Sequence, residues 1–111
     1  MNNLHLSKEA QNDLAEIKAY ITEELENPDA ALATISRITK KIRILKNQAN
    51  VGTPLSSVAD TESDYRFLVS GNHLVFYRAY GKDVYIDRVL YGRRDYMRIL
   101  FGDAQSDETD E

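Results

Sequence analysis

Cysteine and tryptophan are absent from the 111 residues, and histidine and proline occur only twice each. Without cysteine no disulfide framework, thiolate nucleophile or thiolate metal site can form, and His5 and His73 are too few to argue for a zinc centre. No run of eighteen apolar residues occurs, and the opening "MNNLHLSKEAQNDL" lacks a basic region followed by a long apolar stretch. The expectation is a cytoplasmic protein with no membrane partner. A Gly-rich phosphate loop, a Ser-His-Asp order and a catalytic carboxylate pair are missing as well, so no metal or cofactor is expected. The length suits one domain with a single core.

Charge is present but unevenly placed. The net charge is −4, yet the tail "GDAQSDETDE" holds five acids and no base, which leaves 14 bases against 13 acids in residues 1–102. Residues 1–36 carry two bases and seven acids, whereas residues 37–102 carry twelve bases and six acids. An acidic start, a basic second half and an acidic end suit a partner with a phosphate backbone or an acidic surface. A pI near 5.2 argues against general nucleic-acid binding. Residues 1–102 are read as the folded domain and residues 103–111 as an acidic, disordered tail.

Apolar spacing sets the element order. "NLHL" alternates like one short strand, and Ser7 is placed to cap the helix that follows. Ala10, Leu14, Ile17, Ile21 and Leu25 recur every three or four residues, the signature of an amphipathic helix. Pro28 ends it at Asn27 and starts a second helix. There Ala31, Ile35, Ile38, Ile42 and Leu45 form a cleaner stripe. The short connection makes the two helices an antiparallel hairpin.

"NVGTPLSSVADTESD" reads as a loop, and "YRFLVS", "HLVFYRAY" and "VYIDRVLY" read as three strands. Gly71-Asn72 suits a two-residue hairpin turn, which pairs Ser70 with His73, Val69 with Leu74, Phe67 with Phe76, and Arg66 with Tyr77. The apolar face Phe67, Val69, Leu74 and Phe76 is expected under the helices, with Arg66, Leu68, Ser70, His73, Val75 and Tyr77 on the open face. In the last strand Val84 and Ile86 have the opposite parity to Val89, and a bulge near Asp87-Arg88 reconciles them. The facing of Arg88 stays open. Asp95 is placed to cap a final short helix, "YMRILF". The fold class is therefore α+β: an N-terminal strand, a helical hairpin packed on a small, mainly antiparallel sheet, and a short C-terminal helix.

Arg66, Arg78, Arg88, Arg93, Arg94 and Arg98 all come from the sheet or its exit, and guanidinium groups bind phosphates or carboxylates two oxygens at a time. The plainer reading makes them solvated sheet residues partnered by Asp87 and Asp95. Tyr65, Tyr77, Tyr80, Tyr85, Tyr91 and Tyr96 can stack on bases, but suit the core edge and sheet surface better. His73 beside the turn reads first as a surface turn residue.

In their order and spacing, "SKEAQNDLAEIKAYI", "NPDAA", "VGTPL" and "DYRFLVSGNHLVFYRAYGKDVYIDRVLYGRRDY" resemble the RelE/ParE superfamily of type II toxin-antitoxin toxins from about Leu4 to Phe101. The resemblance implies a growth-arresting toxin held in check by a cognate antitoxin, with operator DNA reached only through that antitoxin. The fold hosts two activities. A RelE-like member is a ribosome-dependent mRNA endoribonuclease, and Arg66, Arg94 and Tyr96 are the residues that resemble its machinery. A ParE-like member poisons DNA gyrase and cuts nothing. The loop from Asn47 to Asp64 has no lysine, and "DLAEIKAYI", "NPDAA" and "GRRD" look closer to the ParE branch. The reading therefore leans to gyrase, with Arg66, Arg93, Arg94, Arg98 and Tyr77 as target-binding residues and no catalytic residue assigned. Alternatives are the ribosome and its mRNA as target, or an inactive member that only binds antitoxin.

Overall fold

Ser7, Asn27 and Asp95 punctuate the chain as local chemistry demands. The computed structural model describes residues 1–92 and 95–102, so the expectations placed on Arg93, Arg94 and the tail lie outside the described residues. Strand β1 spans Asn3–Leu6, and the Ser7 side chain then accepts from the Ala10 N–H to start α1, Lys8–Ala19. One π-helical turn, Tyr20–Glu24, continues α1. Asn27 accepts from the Ala30 N–H and Pro28 opens α2, Pro28–Ile44. Strands β3 (Arg66–Ser70), β4 (His73–Tyr80) and β5 (Asp83–Tyr91) form the meander. Asp95 caps the last helix, α3, Tyr96–Phe101, by accepting from the Arg98 N–H.

With β2 at Thr53–Pro54, the sheet has five strands in the order β1-β5-β4-β3-β2, with β1 parallel to β5 and every other pair antiparallel. The register of β3 on β4 is the one expected, from Ser70 opposite His73 to Arg66 opposite Tyr77. The bulge is present too. Phe76 pairs with Arg88 and Tyr77 with Ile86, which leaves Asp87 as the extra residue and lets Val84, Ile86 and Val89 all join one core. A strand hidden in the expected loop is β2, Thr53–Pro54, followed by a single 3-10 turn, Leu55–Ser57. Two residues, one of them proline, carry no alternation to read, and they occupy a sheet edge where proline is tolerated.

The facing of the sheet is the reverse of the one expected. Val75 and Tyr77 are fully buried beside Ala10, Ile38, Ile42 and Leu45 of the helical side. Phe67, Leu74 and Phe76 lie on the other face, against Leu55, Tyr96, Met97, Leu100 and Phe101. Both faces are apolar and both are covered, so alternation fixed the two sets of residues but not which set meets the helices. Val69, expected in the core, is exposed. Among the described residues no helix is long and apolar enough to cross a membrane.

Candidate functional site

Arg66 and Tyr77 are brought together, but around a loop. The Tyr77 hydroxyl donates to the Ala49 carbonyl at 2.7 Å and accepts from the Gly52 N–H at 2.9 Å. The Arg66 guanidinium donates to the Gly52 carbonyl at 2.8 Å and the Asn50 carbonyl at 3.3 Å. Burial, the larger influence, raises the Tyr77 pKa and keeps its proton in place to donate. Gly52 is required for this approach, because a Cβ there would stand 2.6 Å from the Tyr77 hydroxyl and 2.9 Å from the Phe67 carbonyl. Tyr77 was expected on an open, target-facing surface; it is fully buried.

Tyr96 is on the other side of the sheet, its ring 5.3 Å from that of Phe76. The two described residues that resemble RelE-like machinery, Arg66 and Tyr96, are thus separated by the sheet. Arg98 is exposed and reaches Asp95 at 3.4 Å, a surface pair of small energetic consequence. Arg78 donates to Asp87 at 2.8 Å, and the Tyr65 hydroxyl donates to the same carboxylate at 3.0 Å. Burial first, and then Asp87, push the Tyr65 pKa up to about 12. Asp87 and Asp95 therefore serve as arginine partners, as the plainer reading of the cluster had it.

Arg88 turns to the helical side. Its Nε and one terminal nitrogen each donate to the Asp13 carboxylate at 2.8 Å, and the Val89 N–H donates to the same group at 2.9 Å. The hydrogen bond to Asp13 raises the Arg88 pKa, outweighing burial, which acts in the opposite direction. Strand β1 stops opposite Ile86, so α1 supplies through Asp13 the acceptor that the edge of β5 then lacks. A signal existed in the sequence: Asp13 is an acid three residues after Ala10 and one before Leu14, inside the apolar stripe.

A groove of about 830 Å³ opens beside this pair, between the helical hairpin and the β3–β4 turn. Ile17, Tyr20, Ile21 and Leu25 form one wall, and Ser70 and His73 are on the opposite one. The lower half of the first helical stripe, Ile17, Ile21 and Leu25, lines this opening, with Leu25 56% exposed; Tyr20, outside that stripe, lines it too and is 57% exposed. Burial, and secondarily Arg37, hold the His73 imidazole below its usual range. His73 is therefore half inside a cleft and not a bare turn residue.

The family model for the ParE toxin of the type II toxin-antitoxin system, parDE, matches residues 4–96. The chain belongs to the ParE toxin family. Among solved structures, one titled as the chromosomal ParDE system of P. aeruginosa is similar at 25% identity and a TM-score of 0.68, covering 82% of this chain and 96% of its own. Crystal structures of E. coli YafQ, from strain BL21(DE3) and as a mutant, are similar at 17% and 16% identity with TM-scores of 0.49 and 0.51. Each covers 92% of this chain and 100% of its own. The mutant's likeness speaks to the fold alone. No curated protein sequence matches significantly. This ParE-family chain is thus the toxin of a ParDE-type pair, and its partner is a cognate antitoxin.

Proposed function

We propose that this ParE-family toxin arrests growth by binding and poisoning DNA gyrase, without cleaving nucleic acid itself. The observation that carries the reading is the structural employment of the two described nuclease candidates: Arg66 clasps loop carbonyls and Tyr96 packs on Phe76 across the sheet. General acid-base cleavage needs a proton donor and acceptor within reach of one reacting centre. Arg66 and Tyr96, on opposite faces, do not share one. A stoichiometric poison needs only a surface that holds its target. Arg93, Arg94 and Arg98, at the exit of the last strand, are the charges proposed to face it.

The test is induction of the toxin without antitoxin, with gyrase-linked DNA breaks and mRNA ends at ribosomes read in parallel. Breaks that precede any loss of mRNA are expected. Codon-phased mRNA cuts within minutes, with supercoiling intact, would move the assignment to a ribosome-dependent nuclease. Normal growth at verified expression would make the chain an antitoxin-binding member without toxicity. The double change Arg93→Ala, Arg94→Ala is expected to relieve toxicity with a change in stability of less than about 0.5 kcal/mol.

A further inference from the structure

The two arms of the helical hairpin carry opposite charge. Residues 8–29, from the start of α1 through the first residues of α2, hold seven acids and two bases, whereas residues 30–59 hold five bases and no acid. Those five, Arg37, Lys40, Lys41, Arg43 and Lys46, all belong to α2 or the turn that follows it. Ile38 and Ile42 face the core, so Arg37, Lys40 and Arg43, spaced three residues apart, share the exposed side, and Lys46 is exposed beyond them. Packing beside acidic α1 does not neutralise them. Among the described residues the ion pairs are His5–Asp83, Arg78–Asp87, Arg88–Asp13 and Arg98–Asp95, and none joins α1 to α2. Cations in a last helical turn complement the helix dipole, which accounts for Lys41 and Arg43. Arg37 and Lys40 precede that turn.

The makeup of this face favours phosphate over an acidic protein surface. No aromatic residue occurs between Tyr20 and Tyr65, and Ile44, 41% exposed, is the one exposed large apolar side chain from Arg37 to Lys46. The anchors that dominate protein interfaces are therefore scarce here. What the face offers instead is a line of cations about 4.5 Å apart along the helix axis, commensurate with duplex DNA, which carries one phosphate charge per about 3.4 Å on each strand. Exposed Glu9, Glu16 and Glu23 on the neighbouring helix would repel the same backbone, which leaves α2 as the side that can approach it. A net charge of −4 opposes capture of DNA by the toxin alone, so the contact needs a third body that holds both.

We propose that the exposed face of α2 lies along the phosphate backbone of the duplex DNA held by gyrase, with Arg37, Lys40, Arg43 and Lys46 on phosphate oxygens. The inference rests on the gyrase reading for the target and adds that the toxin recognises gyrase and its DNA together. Once docked on the protein, it meets the DNA at a high effective concentration. Phosphate contacts position without reading bases, so this face confers no sequence preference.

The experiment measures binding of the toxin to purified gyrase with and without a linear DNA duplex, over a range of salt concentrations. The parent toxin should bind the gyrase–DNA complex at least about tenfold more tightly than gyrase alone. The triple change Lys40→Gln, Arg43→Gln, Lys46→Gln leaves intact Arg37, which also lines the groove. It should weaken binding to the complex about 10- to 100-fold and reduce the slope of log affinity against log salt by about three, while binding to gyrase alone and the melting temperature stay as in the parent. Exchange in kind, Lys40→Arg, Arg43→Lys, Lys46→Arg, should keep the parent affinity, because charge is what the backbone reads. The control Lys8→Gln, Lys18→Gln, Lys82→Gln removes three cations elsewhere and should stay within about threefold. Equal affinity of the parent with and without DNA, no loss in the triple variant, or an equal loss in the control overturns the assignment and leaves the gyrase reading intact. A loss of the same size on gyrase alone overturns it in favour of an acidic protein surface. Failure of the parent toxin to bind gyrase in either form overturns the gyrase reading and this inference with it.

Discussion

The two faces of the sheet are built differently. On the helical side nine buried residues, among them Ile38, Leu45, Val75, Tyr77 and Val84, join α1, α2 and two strands, β4 and β5, in one cluster. On the other side, among the described residues, Leu55, Phe76 and Leu90 are the buried members of the cluster, under a helix of six residues whose apolar side chains are only partly covered. Seventeen-residue α2 has length enough to present a full stripe, whereas one and a half turns of α3 cannot. The first face should behave as the folding core and the second as a layer that opens at lower free energy.

Ile38→Asp would break the first face most severely. Ile38 is fully buried, and an unpaired carboxylate there should cost more than about 4 kcal/mol and unfold the domain. Thermal unfolding followed by circular dichroism checks it, and a melting temperature close to the parent's would refute the assignment of α2 to the core.

Asp13→Ala strikes the seam where the helical side meets the edge of β5. It leaves the half-buried Arg88 charge and the Val89 N–H without their acceptor, so a loss of about 3 kcal/mol is expected from urea denaturation. Asp13→Asn should recover part of that loss, because an amide oxygen can still accept from Val89. Equal losses in both variants would mean the charge, and not the edge hydrogen bond, dominates.

A matched pair sharpens the comparison of faces. Leu45→Ala removes a side chain with no exposure, at an expected cost of about 3 kcal/mol, whereas Leu100→Ala in α3 removes a partly covered one at about 1 kcal/mol. Amide exchange should show α3 opening without global unfolding. Equal losses would show that the two faces form one cooperative core.

The smallest effect concerns pH. The His73 pKa in the folded chain lies below its ordinary value of 6.5, so between those two values the unfolded chain binds more protons. Stability contributed by neutral His73 is therefore present above pH 6.5 and lost as pH falls through the depressed value. Partial exposure keeps the change small. His73→Gln should flatten this part of the stability profile. A steeper slope in the variant would contradict the sign.

Much of this was legible beforehand. Caps at Ser7 and Asp95, the break at Pro28, both helices, the hairpin register and the bulge near Asp87 follow from local rules: hydrogen-bonding side chains at helix starts, periods of 3.6 and 2, and a parity conflict between Ile86 and Val89. The RelE/ParE superfamily was legible in the same stretches of sequence. The clasp of Arg66 and Tyr77 on the Ala49–Gly52 segment was not, because its partners are backbone carbonyls and an N–H, which no sequence pattern marks. Nor could the alternating strands say that Tyr77, and not Phe76, meets the helices.

The sequence by itself determined which residues form each helix and strand and which side chains share a face, since those are properties of near neighbours along the chain. Tertiary structure alone decided which face the hairpin covers, that Asp13 serves the edge of β5, and that the α1 stripe ends in an open groove. Each of these depends on where two distant segments meet, and an apolar residue carries the same hydrophobic driving force whether it is filled by the chain's own core or left for a partner.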